Sequence, residues 1–406
     1  MLHQHFRFPD QVGSNRGHAL AKGLRKQCGK VTVVTGGGCR ESHELKNEGT
    51  IEKGFLRKTY HTDDDIEIVS IEDYYDQKLT FIKRFLSFGL FACLATYHSL
   101  RIREANLVFA SSTPLTVAIP AVIVSRVKKI PFVFEVRDLW PEAPIQLGIL
   151  KNRILIRLAR WLEAVAYKNA INIVGISEGI CRKISYLTGK AVHFIPHGVE
   201  EQFDCRYGHG ASESGNLKIV YAGSCGYNNA IEIVFEVANA SLADPECRTK
   251  LEFLIVGDGP ALDAIRKSRP LNVRLLGKMG KLEVVKVLCS ADVGIFSQRK
   301  VKGDLKKDSL PNKFFDYIGA CLPVVAGVQK GGELEALINS YECGIAVEPE
   351  DSSGMVSALK KLLFEPELRR KMSLSASKLA KQFSREKSVR KFVQLVNSTV
   401  RNEKGP

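Results

Sequence analysis

The sequence predicts an α/β protein built from two doubly wound domains, and three observations carry that expectation. Short apolar runs rich in β-branched residues recur along 406 residues, separated by stretches of helical or loop character. The pattern restarts after a polar, glycine-rich interval, RYGHGASESGN at 206–216. With 45% hydrophobic residues, the chain holds enough material for two cores of ordinary domain size.

Taken in order, the opening MLHQHF reads as a strand entered partway along. FPDQVGSNRGHALAKGL follows, a loop with Gly13 and Ser14 running into a helix whose first N–H groups suit a phosphate. VTVVTG (31–36), IEIVS (66–70), NLVFA (106–110), PFVFEV (131–136) and INIVG (171–175) are the strands of the first half. Between the second and third lies FLSFGLFACLATYHSL (85–100), sixteen residues without a charge, flanked by Lys83, Arg84, Arg101 and Arg103. That is short of the ~20 residues of a spanning helix. A helix buried against the sheet and a helix at a membrane interface, with its basic ends at the headgroups, both fit. PFVFEV exits into RDLWPE, where Arg137, Asp138 and Glu142 call for ion pairing or a cleft.

LKIVYAG (217–223), LEFLIVGDG (251–259), VRLLG (273–277), DVGIFS (292–297), LPVVAG (322–327) and GIAVEP (344–349) are the strands of the second half. Doubly wound sheets bind ligands outside the carboxyl ends of their strands. There YAGSCGYNNA offers Gly223, Ser224 and Gly226, VGDGP a further glycine turn, and VRLLG ends on Gly277. The chain has no G-x-x-x-x-G-K-S/T and no G-x-G-x-x-G after a strand, which disfavours a P-loop ATPase and a nicotinamide enzyme. In DSLPNKFFDYIGACLPVVAG (308–327), Asp308 or Ser309 suits a helix cap and Pro311 the first turn. Lys313 and Asp316 share one face of that helix, and Phe314, Phe315 and Ile318 the other. Beyond Ser353 the chain reads as helices, closing in a basic stretch at 384–404.

A net charge of +15 points to an anionic partner: a phosphate substrate, nucleic acid or an anionic membrane. Nucleic acid is disfavoured, because aromatic residues are not interleaved with Lys and Arg on any strand. The ten cysteines are scattered without Cys-x-x-Cys or zinc spacing and read as reduced thiols of a cytoplasmic protein. The first residues lack the basic and apolar regions of a signal peptide.

LHQHFRFPD, FEVRDLWPE, GISEGI, IPHGVE, YAGSCGYNNAIE, LIVGDGP, ADVGIFS and PNKFFDYIGACLPVV, in that order, resemble the glycosyltransferases of family 4, which are retaining enzymes of the GT-B fold. FEVRDLWPE with PNKFFDYIGACLPVV resembles in particular the bacterial transferases of O-antigen, capsule and exopolysaccharide synthesis. The resemblance implies a Rossmann-like acceptor domain at 1–200, a nucleotide-sugar domain at 201–383 and a final helix, 384–406, crossing back to the first. It implies that Ser309, Leu310, Pro311, Asn312 and Lys313 face the donor diphosphate, with Gly13, Ser14, Gly223, Ser224 and Gly277 at the nucleotide-sugar. Asp316 would accept from the ribose hydroxyls, and Asp308 would be the first acid of the family's E-x7-E pair, here D-x7-D. Arg137 and Asp138 stand where relatives place a histidine; Arg137 would stabilise a phosphate or the acceptor and Asp138 orient it. Asn228 and Asn229 replace the family's Arg and Lys. The implied chemistry is front-side displacement from a UDP- or GDP-sugar onto a saccharide or lipid-linked saccharide, with no metal or cofactor, at the inner face of the cytoplasmic membrane. A nucleotide-sugar 2-epimerase on the same fold is the alternative; it would need acids and histidines lining the cleft, and the chain has nine histidines.

Overall fold

The computed structural model describes residues 1–42, 52–73, 81–146, 148–203, 215–226, 229–300 and 305–403. Lys78, Cys205, Asn228, Asp304 and most of the polar interval at 206–216 lie outside them. The chain forms two units, Met1–Pro196 with Lys387–Pro406, and His197–Glu386.

In the first unit, β1 (Val31–Thr35), β4 (Ile66–Ile71), β3 (Arg57–His61) and β2 (Glu52–Gly54) lie in that order, and β5 (Val108–Ser111), β6 (Phe132–Val136), β7 (Asn172–Gly175) and β8 (Val192–Phe194) form a second row. Leu2 joins the rows, bridging Val34 of β1 and Ala110 of β5 in parallel. The opening MLHQHF therefore supplies a single bridging residue, paired on both sides, rather than a full strand. The pairing is parallel except in the hairpin β2–β3 and its junction with β4, which are antiparallel. RKTYH of β3 escapes a search for apolar runs because Arg57 and Lys58 are half-buried while Thr59 and Tyr60 are buried. An antiparallel hairpin near the sheet edge tolerates such a sequence; a parallel strand covered on both faces does not.

Helices α1 (Arg16–Cys28), α2 (Phe81–Arg101), α3 (Ala118–Lys128), α4 (Glu142–Gln146), α5 (Arg153–Asn169) and α6 (Glu178–Thr188) complete the run to Pro196. The core gathers Val33, Ile68, Phe109, Val133 and Val174 from the strands and Leu20 and Leu24 from α1. Helix α2 buries Phe91, Ala92, Leu94 and Ala95, and it exposes Phe85, Leu86, Leu90 and Tyr97. The reading of a helix buried against the sheet thus holds for one face, with Phe91 and Leu94 on it, and the opposite face is exposed.

The second unit carries a six-stranded parallel sheet in the order β11-β10-β9-β12-β13-β14. Its strands are β9 (Leu217–Ala222), β10 (Leu251–Val256), β11 (Val273–Gly277), β12 (Val293–Ser297), β13 (Val324–Gly327) and β14 (Gly344–Val347). Every residue of β12 and β13 is buried, as expected of central strands covered on both faces. Between and after them run α7 (Ile231–Ala243), α8 (Pro260–Ile265), α9 (Lys281–Cys289), α10 (Asn312–Gly319), α11 (Glu333–Tyr341), α12 (Ser352–Phe364) and α13 (Pro366–Gln382). The last helix, α14 (Arg385–Glu403), starts in this unit and continues into the first. Cys39, Cys93, Cys181, Cys225, Cys247, Cys321 and Cys343 are free thiols, whereas Cys289 is disulfide-bonded, a correction to reading every cysteine as reduced.

Candidate functional site

Strand order in the second unit reverses between β9 and β12, the switch point at which open α/β sheets bind ligands. Helix α10 is anchored there. Tyr317 accepts from the Ala222 amide at 3.0 Å and donates to the Ile295 carbonyl at 3.1 Å, tying the end of β9 to β12. Room for its ring comes from Gly294, where a Cβ would stand 2.5 Å from it. Phe314, Phe315 and Ile318 are fully buried, as the spacing predicts. The start of the helix differs from expectation. Pro311 occupies the N-cap position without a side-chain cap, and Asp308 ends a separate 3-10 turn, Leu305–Asp308. With proline at the N-cap, φ is fixed there and Asp308 and Ser309 stand too early in the chain to be the capping residue. Leu310 is buried.

Lys313 is 8% exposed. Its Nζ donates to Tyr221 Oη at 3.0 Å and Asn229 Oδ1 at 3.3 Å and stands 4.3 Å from the centre of the Tyr221 ring. The Tyr221 hydroxyl in turn donates to the Ser224 carbonyl at 2.7 Å. A Cβ on Gly223 would lie 3.4 Å from Lys313 Cε. The lysine charge is thus held beneath the Gly223–Ser224 turn, at the carboxyl end of β9. The glycines of this turn serve backbone packing first: a Cβ on Gly257, at φ +136°, would sit 1.9 Å from the Gly223 carbonyl. Gly223 and Cys225 donate to the Val256 and Asp258 carbonyls, and Gly257 donates to Gly277, locking the three turns together.

Asp316 accepts from Lys281 Nζ at 2.7 Å, Lys281 stands 3.4 Å from Glu200, and Glu200 lies 3.4 Å from Arg385. Burial opposes the Lys281 ammonium, but Asp316 and Glu200 outweigh it and raise its pKa above the usual lysine value. Burial, joined by the charge of Glu200, lifts the Asp316 carboxyl against the pull of Lys281. Asp316 is therefore a positioned carboxylate in an alternating chain of charges. Lys281, Glu200 and Arg385 escaped the sequence reading, since partners so distant in the chain leave no local spacing. A hollow of about 320 Å³ opens at the other end of this sheet, against Lys218, Lys250 and Asn272, away from the switch point.

In the first unit, Arg137 follows β6; its amide donates to Ser112 Oγ at 3.2 Å and its guanidinium lies 3.5 Å from His3 Nε2. Burial, then the neighbouring Arg137, depresses His3 to a pKa of about 3, so the imidazole is neutral. Asp138 is exposed and accepts from Thr113 Oγ1 at 2.9 Å. Behind them Glu135 pairs with Arg16 at 2.8 Å, both 1% exposed, and accepts from Ser111 Oγ at 2.6 Å. Gly13, at φ +117°, and Ser14 precede α1 without a side-chain cap at Asn15. The sequence signalled Arg137 and Asp138; His3 and Glu135 lie in strand-like runs that look structural. Gly13, Ser14, Arg137 and Asp138 thus belong to the first unit, and Gly223, Ser224, Gly277, Asp308, Lys313 and Asp316 to the second.

Two Rossmann-like units, one with strand-end residues around a switch point, define a protein of the GT-B class. Residues 216–365 match the family model for glycosyl transferases group 1, and the chain is a glycosyltransferase. It is 22% identical over 318 residues to the probable glycosyltransferase WbjE of Pseudomonas aeruginosa, covering 75% of this chain and 77% of that protein. It is 24% identical over 254 residues to the alpha-D-kanosaminyltransferase of Streptomyces kanamyceticus, covering 57% and 61%. HepE of Anabaena, solved with UDP, has the same fold at a TM-score of 0.66 and 12% identity, over 98% of both chains. WaaG, a glycosyltransferase involved in lipopolysaccharide biosynthesis, shares it at 0.63 and 14% identity, over 97% and 98%.

Proposed function

We propose that the chain is a retaining family 4 transferase that moves a sugar from a UDP- or GDP-sugar onto a lipid-linked saccharide in bacterial surface polysaccharide synthesis. One observation carries the reading: α10 sets Lys313 and Asp316 at the β9/β12 reversal, inside the span matched to group 1 transferases. UDP and UDP-glucose in HepE support a nucleotide-sugar donor, and the lipopolysaccharide biosynthesis in which WaaG is involved supports a surface glycan. Lys313, beneath Gly223 and Ser224, would place positive potential under the departing diphosphate, and Asp316 would accept from the ribose. Arg137, held against neutral His3, would do the same for the acceptor or a phosphate. The acceptor hydroxyl attacks on the face that the diphosphate leaves, and the leaving oxygen takes its proton. Positioning is the protein's share of that reaction. Among the described residues no helix is long and apolar enough to cross a membrane, so a lipid-linked acceptor would be met from the surface.

The test is binding of UDP-, GDP- and TDP-sugars to the purified chain by thermal shift and calorimetry. Lys313→Ala and Asp316→Ala each remove a charged contact of about 1.5–3 kcal/mol, which corresponds to roughly ten- to a hundredfold weaker donor binding. Unchanged donor affinity in both folded variants would remove the donor assignment.

A further inference from the structure

We infer that Lys281 is a positioning residue for the donor: by holding Asp316 it makes the chain select ribonucleotides over deoxyribonucleotides. The inference rests on the ribose role proposed above for Asp316. Lys281 is the first residue of α9, after Gly280 at the N-cap, where the helix dipole disfavours a positive charge. Its side chain is nevertheless only 12% exposed. Two carboxylates compensate. Asp316 Oδ1 accepts from Nζ at 2.7 Å and Glu200 Oε1 stands at 3.4 Å, with the centre of the Phe203 ring 5.5 Å away.

Glu200 is itself held from behind. Val199 pairs in parallel with Ser384: its amide donates to the Phe383 carbonyl and its carbonyl accepts from the Arg385 amide, both at 2.6 Å. Arg385, the first residue of α14, is buried, donates to the Gly198 carbonyl at 3.3 Å and stands 3.4 Å from Glu200. The row Asp316, Lys281, Glu200, Arg385 thus sets two negative charges against two positive ones. Without Lys281, Asp316 and Glu200 would be neighbouring carboxylates deprived of the cation between them, and one would be driven toward protonation. Among the described residues Asp316 Oδ2 takes no hydrogen bond, and the side chain is 19% exposed, so a ligand can reach it. A carboxylate oxygen has about two lone-pair sites, so Oδ1 keeps one beside Lys281 and Oδ2 keeps both. Two neighbouring ribose hydroxyls fit that set, whereas deoxyribose supplies one. TDP-sugars, which carry deoxyribose, are therefore the disfavoured donors.

The test is calorimetry of the full chain with UDP and GDP, each against its deoxyribose counterpart. The wild type is expected to favour the ribonucleotide by at least about tenfold, the worth of one hydrogen bond to a charged group. Lys281→Met should bring that preference below about threefold, and Lys281→Arg should restore most of it. Lys281→Met/Asp316→Asn removes both charges of the pair, so the question stays open to measurement even where Lys281→Met alone fails to fold. Its preference should equal that of Asp316→Asn, because Lys281 acts only through the carboxylate. A lysine that serves as a structural ion pair alone would weaken both nucleotides alike and leave their ratio untouched, and that result would overturn the inference. A double variant whose ratio departs from that of Asp316→Asn would overturn it too. The two readings fail separately. If Asp316→Ala loses the preference while Lys281→Met keeps it, the ribose assignment stands and Lys281 is removed. A wild type that shows no preference or binds neither nucleotide, or an Asp316→Ala variant that keeps the preference, removes the ribose assignment and this inference with it.

Discussion

Glu163 shows what burial does to one residue. Burial raises its pKa to about 7, helped by Glu142 and opposed by the hydrogen bond from Tyr167. The folded value lies above the ordinary 4.5, so the fold favours the protonated acid. Stability from this group is complete below about pH 4.5, declines as pH rises and is lost above about pH 7. Glu163→Gln should flatten that slope, so the melting temperature of the variant gains on wild type between pH 5 and 8 and holds level with it in acid. Parallel melting curves across that range would show that the carboxyl ionises freely. No sequence reading could anticipate this, because the shift depends on what covers the side chain. Lys313 and Asp316 were legible because they share a helix face three residues apart; Lys281, which holds Asp316, comes from another helix and carries no mark.

At the scale of elements, α1 is pinned to β6 through Arg16 and Glu135. Arg16 also donates to the carbonyls of Ile195 and Pro196, so one side chain ties the helix start to the end of the first unit. Burial works against the Glu135 carboxylate, but Arg16, Arg137 and Ser111 together bring its pKa below the usual value. Glu135→Ala leaves a guanidinium buried without its carboxylate and should cost about 3–5 kcal/mol in urea unfolding. Arg16→Met/Glu135→Leu, which removes both charges at similar volume, should cost far less. If the double variant is as damaged as the single, packing rather than charge is what matters there. The parallel strands were readable as elements because burial on both faces demands uninterrupted apolar residues. The β2–β3 hairpin was not, because a half-covered pair at a sheet edge dilutes its apolar signal with Arg57 and Lys58.

For the whole molecule, the return of the chain is decisive. Phe392, Val393 and Val396 of α14 are fully or almost fully buried in the core of the first unit, with Phe392 edge-on to Phe109 at 4.6 Å between ring centres. Losing one such phenylalanine costs about 3–5 kcal/mol. A chain ending at Glu386 should therefore melt its first unit well below the wild-type temperature while the second unit keeps its own transition. Calorimetry resolves the two, and an unshifted first transition would mean that α14 is dispensable there. The alternation of strands and helices made the two-domain α/β class legible. The destination of α14 was not written in its own residues, whose basic, amphipathic pattern suits many surfaces; it followed from the resemblance.

That return also fixes an order of events during synthesis. The first 196 residues leave the ribosome with their sheet strands in hand but without Phe392, Val393 and Val396. They wait while the whole second unit is translated, so the segment made first is finished last. Domains ordinarily complete themselves as they emerge. Here the incomplete unit has an open apolar gap for that interval, and any product halted before Lys387 keeps it permanently. Closing that gap falls to the last helix made, α14.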